Sequence, residues 1–211
     1  MRIDPAGLPF IVLAAVPVLV SAVWGPPVLT AILVVLPAAM AAFFRDPDRV
    51  VPSDAALVLA PADGAVQFAG DARPGDAPDG HWRQVTIFLS LFDVHINRTP
   101  AAGQVRRVEH VPGTFLPAYR ADAGGNAHSE IWLDAGGTTI VVRQVVGVLA
   151  RRIVCRVKAG ETLAAGARIG LMKFGSRMDV FVPPTASLTV KHGDKVRAGE
   201  TIIARLAGRD G

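Results

Sequence analysis

A glycine–serine pair near the C-terminal end of the chain, Gly175-Ser176, has a chemical capacity that few dipeptides share. Because glycine lacks a Cβ atom, the peptide bond before the serine can be held in a strained geometry. The Ser176 hydroxyl can then attack the carbonyl of its own preceding residue and form an ester. Elimination from that ester leaves dehydroalanine, which hydrolyses to a pyruvoyl group. Glycine and serine are also common turn residues, so a simple turn is the alternative interpretation.

This chemistry needs a base that removes the hydroxyl proton, and His95 is the candidate, because histidine is the usual general base near neutral pH. Asp63, in the turn Pro61-Ala62-Asp63-Gly64, could orient the imidazole as the acid does in a Ser–His–Asp arrangement. Asp93 is a second candidate for that role, since it lies two residues before His95 on the same strand face. Surface or turn roles for all three stay open from spacing alone.

The composition of the N-terminal part of the chain predicts a membrane segment. Residues 5–44 contain no Asp, Glu, Lys or Arg. The turn signal Gly25-Pro26-Pro27 divides this stretch into residues 8–24 and 28–44, each 17 residues long and at the short end of what spans a bilayer. We therefore predict a membrane-associated hydrophobic helical hairpin over residues 1–45.

Positive charges flank this hairpin on both sides. Arg2 precedes it, and Arg45 and Arg49 follow it. Because positive residues favour the cytoplasmic side, we expect two crossings with both termini in the cytoplasm. A shallow re-entrant hairpin and a cleaved signal peptide are the alternatives.

The rest of the chain, residues 46–211, predicts a β-rich domain. Short runs of β-forming residues alternate with turns rich in glycine and proline, and no window from residue 50 onward sustains a helical period. The clearest hairpin joins residues 130–133 to residues 138–146 through Gly136-Gly137.

A weak internal repeat marks the C-terminal half. Residues 157–163 are echoed by residues 190–196, and residues 165–169 by residues 198–202. Two such units related by pseudo-symmetry predict a mainly β, sandwiched-barrel-like domain with a pseudo-repeated C-terminal half, preceded by the helical hairpin.

Composition excludes several classes of protein. Apolar residues make up 51% and charged residues 19%, which excludes disorder for most of the chain. The single cysteine, Cys155, excludes an internal disulfide framework and a multi-cysteine zinc site. The net charge is only +4, without a basic run interleaved with aromatic residues, so nucleic acid is a poor partner.

Six blocks of residues resemble phosphatidylserine decarboxylase in its short prokaryotic (archaeal-type) form. They follow in the same order with similar spacing, at residues 43–49, 60–64, 88–98, 110–113, 150–154 and 173–180. The resemblance implies a self-cleaving proenzyme that breaks at Gly175–Ser176. The products would be a β chain, residues 1–175, and an α chain, residues 176–211, that begins with a pyruvoyl group made from Ser176.

The resemblance also assigns roles to single residues. Asp63 matches the acid of a Pro-x-Asp-Gly turn, and His95 matches the histidine of an Asp-x-His motif. Two departures stand out. Longer members carry a second histidine where this chain has Arg98, and residues 122–130 match only loosely. Whether His95 serves both cleavage and decarboxylation, and what that loop does, stay open.

The implied activity is pyruvoyl-dependent decarboxylation of phosphatidylserine to phosphatidylethanolamine and CO2, with no metal. The α and β chains would form a heterodimer on the cytoplasmic face of the cell membrane, and a higher oligomer stays open. Arg45 and Arg49, together with Arg151 and Arg152, would favour an anionic leaflet.

Two other functions compete with this one. The repeated glycine turns resemble lipoyl and biotinyl carrier domains, in which Lys173, between the two units, would hold a prosthetic group. The other is a membrane-anchored β scaffold without catalysis.

Overall fold

A computed structural model of the chain describes residues 2–73, 77–118, 120–147, 153–173 and 176–208. The chain divides into two units, Met1–Asp48 and Arg49–Gly211. Gly175, Arg151 and Arg152, which the sequence analysis singles out, lie outside the described residues.

The first unit is a pair of helical arms, as predicted. A 3-10 turn at Pro5–Gly7 leads into helix α1, Leu8–Trp24. The second arm consists of two short helices, α2 at Pro27–Leu33 and α3 at Val35–Phe43, where the sequence predicted one. The break follows from Pro37, which has no N–H to bond the carbonyl of Leu33 and whose ring crowds that carbonyl.

The arms expose an unusual amount of apolar surface. Leu13 and Trp24, for example, are 72% and 79% exposed. Pro5–Trp24 is a 20-residue helical segment long and apolar enough to cross a membrane, whereas the second arm, Pro27–Phe43, is shorter. By helix length, the described residues therefore offer one candidate span instead of the two expected.

The two ends of this unit are held side by side. Strand β1, Arg2–Ile3, pairs antiparallel with strand β2, Arg45–Asp46. Between the arms, the hydroxyl groups of Ser21 and Thr30 are hydrogen-bonded at 2.9 Å.

The second unit is mainly β, as predicted, and the only helical turn among its described residues is the 3-10 turn Ala121–Gly125. Its largest sheet has eight antiparallel strands in the order β11-β7-β8-β9-β13-β5-β4-β15. The strands of this sheet in chain order are β4 Gly64–Asp71, β5 Arg83–Leu89, β7 Gly103–Val111, β8 His128–Ala135, β9 Thr138–Val145, β11 Thr162–Leu163, β13 Ser176–Val182 and β15 Lys195–Val196.

Two three-stranded sheets complete the domain, in the orders β10-β12-β6 and β14-β16-β3. Their strands are β3 Leu57–Leu59, β6 Ile96–Arg98, β10 Ile153–Cys155, β12 Arg168–Met172, β14 Ser187–Leu188 and β16 Ile202–Arg205. Side chains of all three sheets share one apolar core, which includes Ile87, Val142, Met178, Ile169 and Ile203.

The predicted repeat is present in the backbone. Gly160 and Gly193 both have a φ of +93°, and Gly166 and Gly199 have φ values of +72° and +74°. The units place β11 and β15 at opposite edges of the large sheet, and β12 and β16 at the centres of the two small sheets. Positive φ angles favour glycine, so the two pairs of glycines are what make the repeat visible in the sequence.

Candidate active site

Ser176 is the first residue of β13, the strand between β5 and β9. It pairs with Leu89 of β5, and paired residues in a sheet project their side chains from the same face. The serine is fully buried, and its hydroxyl oxygen has no hydrogen-bond partner among the residues that the structure describes. The Ser176 hydroxyl is therefore available to react without first losing a described hydrogen bond.

The histidine predicted as the base lies close to the same point of the chain. The carbonyl of His95 accepts a hydrogen bond of 3.3 Å from the backbone nitrogen of Met172, the last residue of β12. Ser176 follows four residues later, and four residues span at most about 14 Å. This short separation along the chain keeps Ser176 within about 14 Å of Met172, the residue that contacts the His95 carbonyl.

The ring of His95 is held by the backbone of Asp93. Its Nδ1 atom lies 3.0 Å from the Asp93 carbonyl oxygen, which can only accept a hydrogen bond. Nδ1 therefore carries the proton in the neutral ring, and Nε2 is the atom with a lone pair for a proton from a hydroxyl. The Asp93 carboxylate itself accepts hydrogen bonds from the nitrogen (2.8 Å) and hydroxyl (2.6 Å) of Ser90, so it closes a turn.

Asp63 lies at the other end of β6 from His95. The carbonyl of Pro61, in the same turn, accepts a hydrogen bond of 2.8 Å from the nitrogen of Arg98. The Asp63 carboxylate accepts two hydrogen bonds from Arg49, at 2.9 and 2.8 Å, and one of 2.7 Å from the nitrogen of Ala198. A direct role of Asp63 in orienting His95 stays a prediction.

The partners of Arg49 correct one expectation. Its side chain is only 7% exposed and lies between Asp63 and the carboxylate of Glu200, which is 3.4 Å from the guanidinium. Arg49 therefore neutralises two carboxylates inside the domain, and the expectation that it faces an anionic leaflet is wrong.

Replacing Arg49 with methionine is expected to lower the free energy of unfolding by about 3 kcal/mol, because two largely buried carboxylates would lose their counter-charge. Urea unfolding measures this loss. Arg106→Met is the matched control, because Arg106 pairs with Asp134 while 62% exposed, and this variant is expected to lose no more than about 1 kcal/mol. Equal losses in the two variants would contradict the structural role of Arg49.

Arg98, one of the two departures noted in the sequence, joins the two repeated turns. Its guanidinium donates a hydrogen bond of 3.1 Å to the carbonyl of Gly166, and its Cδ atom lies 3.2 Å from where a Cβ of Gly199 would be. A side chain at Gly199 would crowd this arginine. Arg98 thus has a structural contact with the pseudo-symmetric part of the fold.

A cluster of buried polar side chains that was not predicted from the sequence lies at the sheet face that carries Ser176. Gln144 of β9 is paired with Met178 of β13 and with Ser129 of β8, so these side chains share one face with Ser176, two residues before Met178. Gln144 donates a hydrogen bond of 2.8 Å to Asn97 of β6. We call Asn97, Ser129 and Gln144 the amide cluster.

Two signals could have revealed this cluster. Gln144 is a polar residue within the apolar strand run of residues 140–146, and a polar side chain inside such a run is typical of a site. Asn97 lies two residues after His95 and hence on the same side of its strand. What the sequence could not supply is that two strands from different sheets would bring these amides together.

The opposite face of the large sheet carries a buried network of charges. Arg177 donates to Asp179 at 2.8 Å, and Thr86 donates to the same carboxylate oxygen at 2.7 Å. On the neighbouring strands, Arg143 donates to Glu130 at 2.9 and 2.6 Å. The two arginines balance the two carboxylates, which is the condition under which charges are tolerated in an interior.

Glu130 has the clearest electrostatic shift in this network. Burial by itself would raise its pKa, but hydrogen bonds from His128, Arg143 and Trp132 and the charge of Arg143 lower the pKa from 4.5 to about 2. A carboxyl group with a lowered pKa in the folded state stabilises the fold above its unfolded pKa, and this stabilisation disappears as the pH falls through the folded value.

The free energy of unfolding is therefore expected to fall by about 2 kcal/mol between about pH 5 and pH 2 through this residue alone. Urea unfolding at several pH values measures it by comparing the wild-type chain with Glu130→Gln, whose curve should be flatter by that amount. Parallel curves for the two proteins would contradict the role of Glu130.

The loop of residues 122–130, which matches the family pattern only loosely, is anchored by Asn126. This fully buried amide donates to the carbonyl oxygens of Leu116 (2.7 Å) and Val146 (2.8 Å), and accepts from the nitrogen of Leu116 and the hydroxyl of Thr114. The loop is thereby fixed to the end of β9, on which Gln144 lies.

A fully buried serine and a buried histidine near the end of β12 are consistent with an enzyme, and comparison with known proteins gives its class, the decarboxylases made as proenzymes. The phosphatidylserine decarboxylase proenzyme of Desulfotalea psychrophila is 40% identical over 205 residues, which cover 95% of this chain and 94% of that protein. The proteins of the same name from Geotalea uraniireducens and Symbiobacterium thermophilum are 41% identical over 202 residues (95% and 94%) and 45% identical over 167 residues (78% and 77%).

Residues 36–204 match the family Phosphatidylserine decarboxylase. The chain therefore belongs to the phosphatidylserine decarboxylase family, and it is a decarboxylase. The match includes the segments around Asp63 and His95, which a carrier domain confined to the C-terminal repeat would leave unexplained. The carrier interpretation, with Lys173 as the modified residue, and the scaffold interpretation are therefore wrong.

Proposed function

We propose that this chain cleaves itself between Gly175 and Ser176, converts Ser176 to a pyruvoyl group, and decarboxylates phosphatidylserine to phosphatidylethanolamine at the cytoplasmic face of the cell membrane. The observation that carries the proposal is the fully buried Ser176 hydroxyl at the start of β13, with His95 fixed beside the end of β12. Family membership supports the substrate and the need for processing.

The first step is an attack by Ser176 on its own peptide bond. Nε2 of His95 takes the hydroxyl proton while Oγ forms a bond to the carbonyl carbon of Gly175, and the electron pair of the C=O double bond moves onto the oxygen. When this pair returns, the bond from the carbon to the Ser176 nitrogen breaks. That nitrogen takes the proton back from His95, and the two parts of the chain are then joined by an ester.

The second step breaks the ester by elimination. A base removes the Cα proton of residue 176, the electron pair forms a double bond to Cβ, and the Cβ–Oγ bond breaks. Gly175 leaves as a free carboxylate at the end of the β chain. Water then replaces the amino group of the resulting dehydroalanine, ammonia departs, and the α chain begins with a pyruvoyl group.

The residues around Ser176 fit such a group. Two fully buried apolar residues, Leu89 and Met178, lie on the same sheet face as Ser176, and Asn97 Nδ2 and Gln144 Oε1 supply polar atoms without a described partner. A pyruvoyl group held here would supply an electron sink for the electron pair that departing CO2 leaves behind. His95, protonated at Nε2 by the substrate ammonium group, would donate that proton to the substrate carbon.

The sheet arrangement supports a stable heterodimer after cleavage. The α chain would carry β13, which is hydrogen-bonded to both β5 and β9 of the β chain. It would also carry β16, which is paired with β3. Scission before Ser176 would therefore leave every one of these strand pairings in place.

The first unit supports a membrane location. The 20-residue apolar segment Pro5–Trp24 supports insertion into the bilayer, where a two-chain lipid substrate resides. The pairing of β1 with β2 holds the two ends of the hairpin together, which supports placing both on the same side. The arginines at these ends favour the cytoplasmic side.

The proposal is tested by a reagent specific for ketones. Phosphatidylserine vesicles labelled in the serine carboxyl group are incubated with the purified protein, and released CO2 is counted. Hydroxylamine, which condenses with keto groups, is expected to abolish the release. Full activity after hydroxylamine treatment would overturn the pyruvoyl part of the proposal, and no release by the untreated protein would overturn the assignment of the substrate.

A further inference from the structure

The amide cluster contains two hydrogen-bond donors without a described partner, Asn97 Nδ2 and the hydroxyl of Ser129. Asn97 and Gln144 can form two mutual hydrogen bonds, but they form one, from Gln144 Nε2 to Asn97 Oδ1. Asn97 Nδ2 and Gln144 Oε1 have no hydrogen-bond partner among the described residues, and both residues are fully buried. An unsatisfied buried polar group costs about 1–3 kcal/mol, so its presence in a folded protein calls for an explanation.

The strand register and one hydrogen bond place the Asn97 amide near Ser176. Gln144 is paired with Met178, and Ser176 lies two residues before Met178 on the same strand face. Diagonal neighbours of this kind are about 7–8 Å apart between their Cα atoms, within reach of a long side chain. Asn97 accepts a hydrogen bond from Gln144, so its amide lies at this same site. It also follows His95 by two residues, which places both side chains on the same side of the chain.

We propose that Asn97 stabilises the negative oxygen formed during self-cleavage. As Oγ of Ser176 bonds to the Gly175 carbonyl carbon and His95 takes the hydroxyl proton, the electron pair that moves onto the carbonyl oxygen receives a hydrogen bond from Asn97 Nδ2–H. Gln144 is a positioning residue, because its hydrogen bond to Oδ1 fixes the Asn97 amide with the donor turned to the site. This inference rests on the proposed function.

Position and chemistry distinguish Asn97 from its neighbours as the donor. Ser129 lies on β8, which is separated from β13 by the whole of β9. The N–H group of Gln144 is committed to Asn97, and the atom left on Gln144 is an oxygen, which repels a negative charge. A preorganised donor aimed at a developing negative oxygen in a buried site accelerates such reactions by about 100- to 1000-fold.

The test measures self-cleavage directly. The full chain is synthesised in a cell-free system with detergent or vesicles, and the conversion into the two products is followed over time by gel electrophoresis. Asn97→Asp keeps the shape of the side chain and the acceptor for Gln144 but loses the donor. Its cleavage rate near neutral pH is expected to fall by about 100- to 1000-fold.

The pH profile separates this role from a structural one. A protonated carboxyl group can donate a hydrogen bond, so the ratio of the Asn97→Asp rate to the wild-type rate is expected to rise as the pH is lowered. A packing defect would leave that ratio independent of pH. Asn97→Ala should be as slow as Asn97→Asp at neutral pH without any recovery at low pH.

A double variant tests the link to Gln144. Gln144→Ala should slow cleavage less than Asn97→Ala, and the double variant should be no slower than Asn97→Ala alone, because the glutamine acts through the asparagine. Gln84→Ala is the matched control: this amide is equally buried in the large sheet but is hydrogen-bonded to Thr86, on the other face. Its cleavage rate is expected to stay within about twofold of wild type.

The outcomes distinguish the inference from the proposed function. Wild-type cleavage together with an Asn97→Asp chain that cleaves at the wild-type rate would overturn the inference and leave the proposed function intact. A rate ratio that is flat with pH would also overturn it. A wild-type chain that never splits, with the same result for Ser176→Ala, would overturn the proposed function itself.

Discussion

Ser176→Ala is expected to remain a single polypeptide of about 22 kDa without decarboxylase activity. The substitution removes the only atom that can attack the preceding carbonyl, so neither the chain break nor the pyruvoyl group can form. Because the hydroxyl has no described hydrogen-bond partner, its removal should not weaken the fold. Gel electrophoresis, release of labelled CO2 and thermal melting measure the three expectations on the same preparation.

Ser176→Cys is the informative companion to this variant. A thiol is also a nucleophile and would give a thioester at the same position, so this chain is expected to split, though more slowly than wild type. A Ser176→Ala protein that still splits between residues 175 and 176 would contradict the assignment of the nucleophile. A much lower melting temperature would contradict the separate expectation that removal of the hydroxyl does not weaken the fold.

His95→Ala is expected to reduce the rate of self-cleavage by about 100- to 10,000-fold, the usual contribution of a positioned general base. The imidazole is almost completely buried and fixed by the Asp93 carbonyl, so bulk water cannot readily take over its role. Adding imidazole to the variant should restore part of the rate, because the substitution leaves a cavity of that shape. A time course of chain cleavage, with and without imidazole, gives both numbers.

His110→Ala serves as the control for this experiment. His110 lies on β7 and is exposed, and its replacement is expected to leave the cleavage rate unchanged. Cleavage of the His95→Ala chain at the rate of the His110→Ala chain would remove His95 from maturation. In that event another group near Ser176 would have to take the proton.

The sequence predicted the fold well where local chemistry decides it. Helix α1 has the predicted bounds, since the apolar run and Gly25-Pro26-Pro27 define both of its ends. The hairpin of β8 and β9 turns at Gly136 and Gly137, whose φ angles of +58° and +87° explain the pair of glycines. The second apolar arm was predicted as one helix, because the sequence alone does not show whether a proline inside an apolar run kinks the helix or breaks it.

The candidate site was predictable only in part. Ser176 and His95 could be singled out because each has a reactive side chain in a block that resembles the family. Asn97 and Gln144 were missed, because the signals that single out these amides gain a meaning only when strands from two sheets bring them together. The same holds for Arg49, whose position after an apolar segment suggested a lipid contact, whereas the fold pairs it with Asp63 and Glu200.

The central claim is tested most directly by mass spectrometry of an active preparation that is denatured just before the measurement. Conversion of Ser176 to pyruvoyl adds one water and releases one ammonia, so the masses of chains 1–175 and 176–211 should sum to about 1 Da more than the unbroken chain. Simple hydrolysis of the peptide bond would give a sum about 18 Da above it. A fully active preparation that shows the unbroken chain, or that larger sum, would contradict the account.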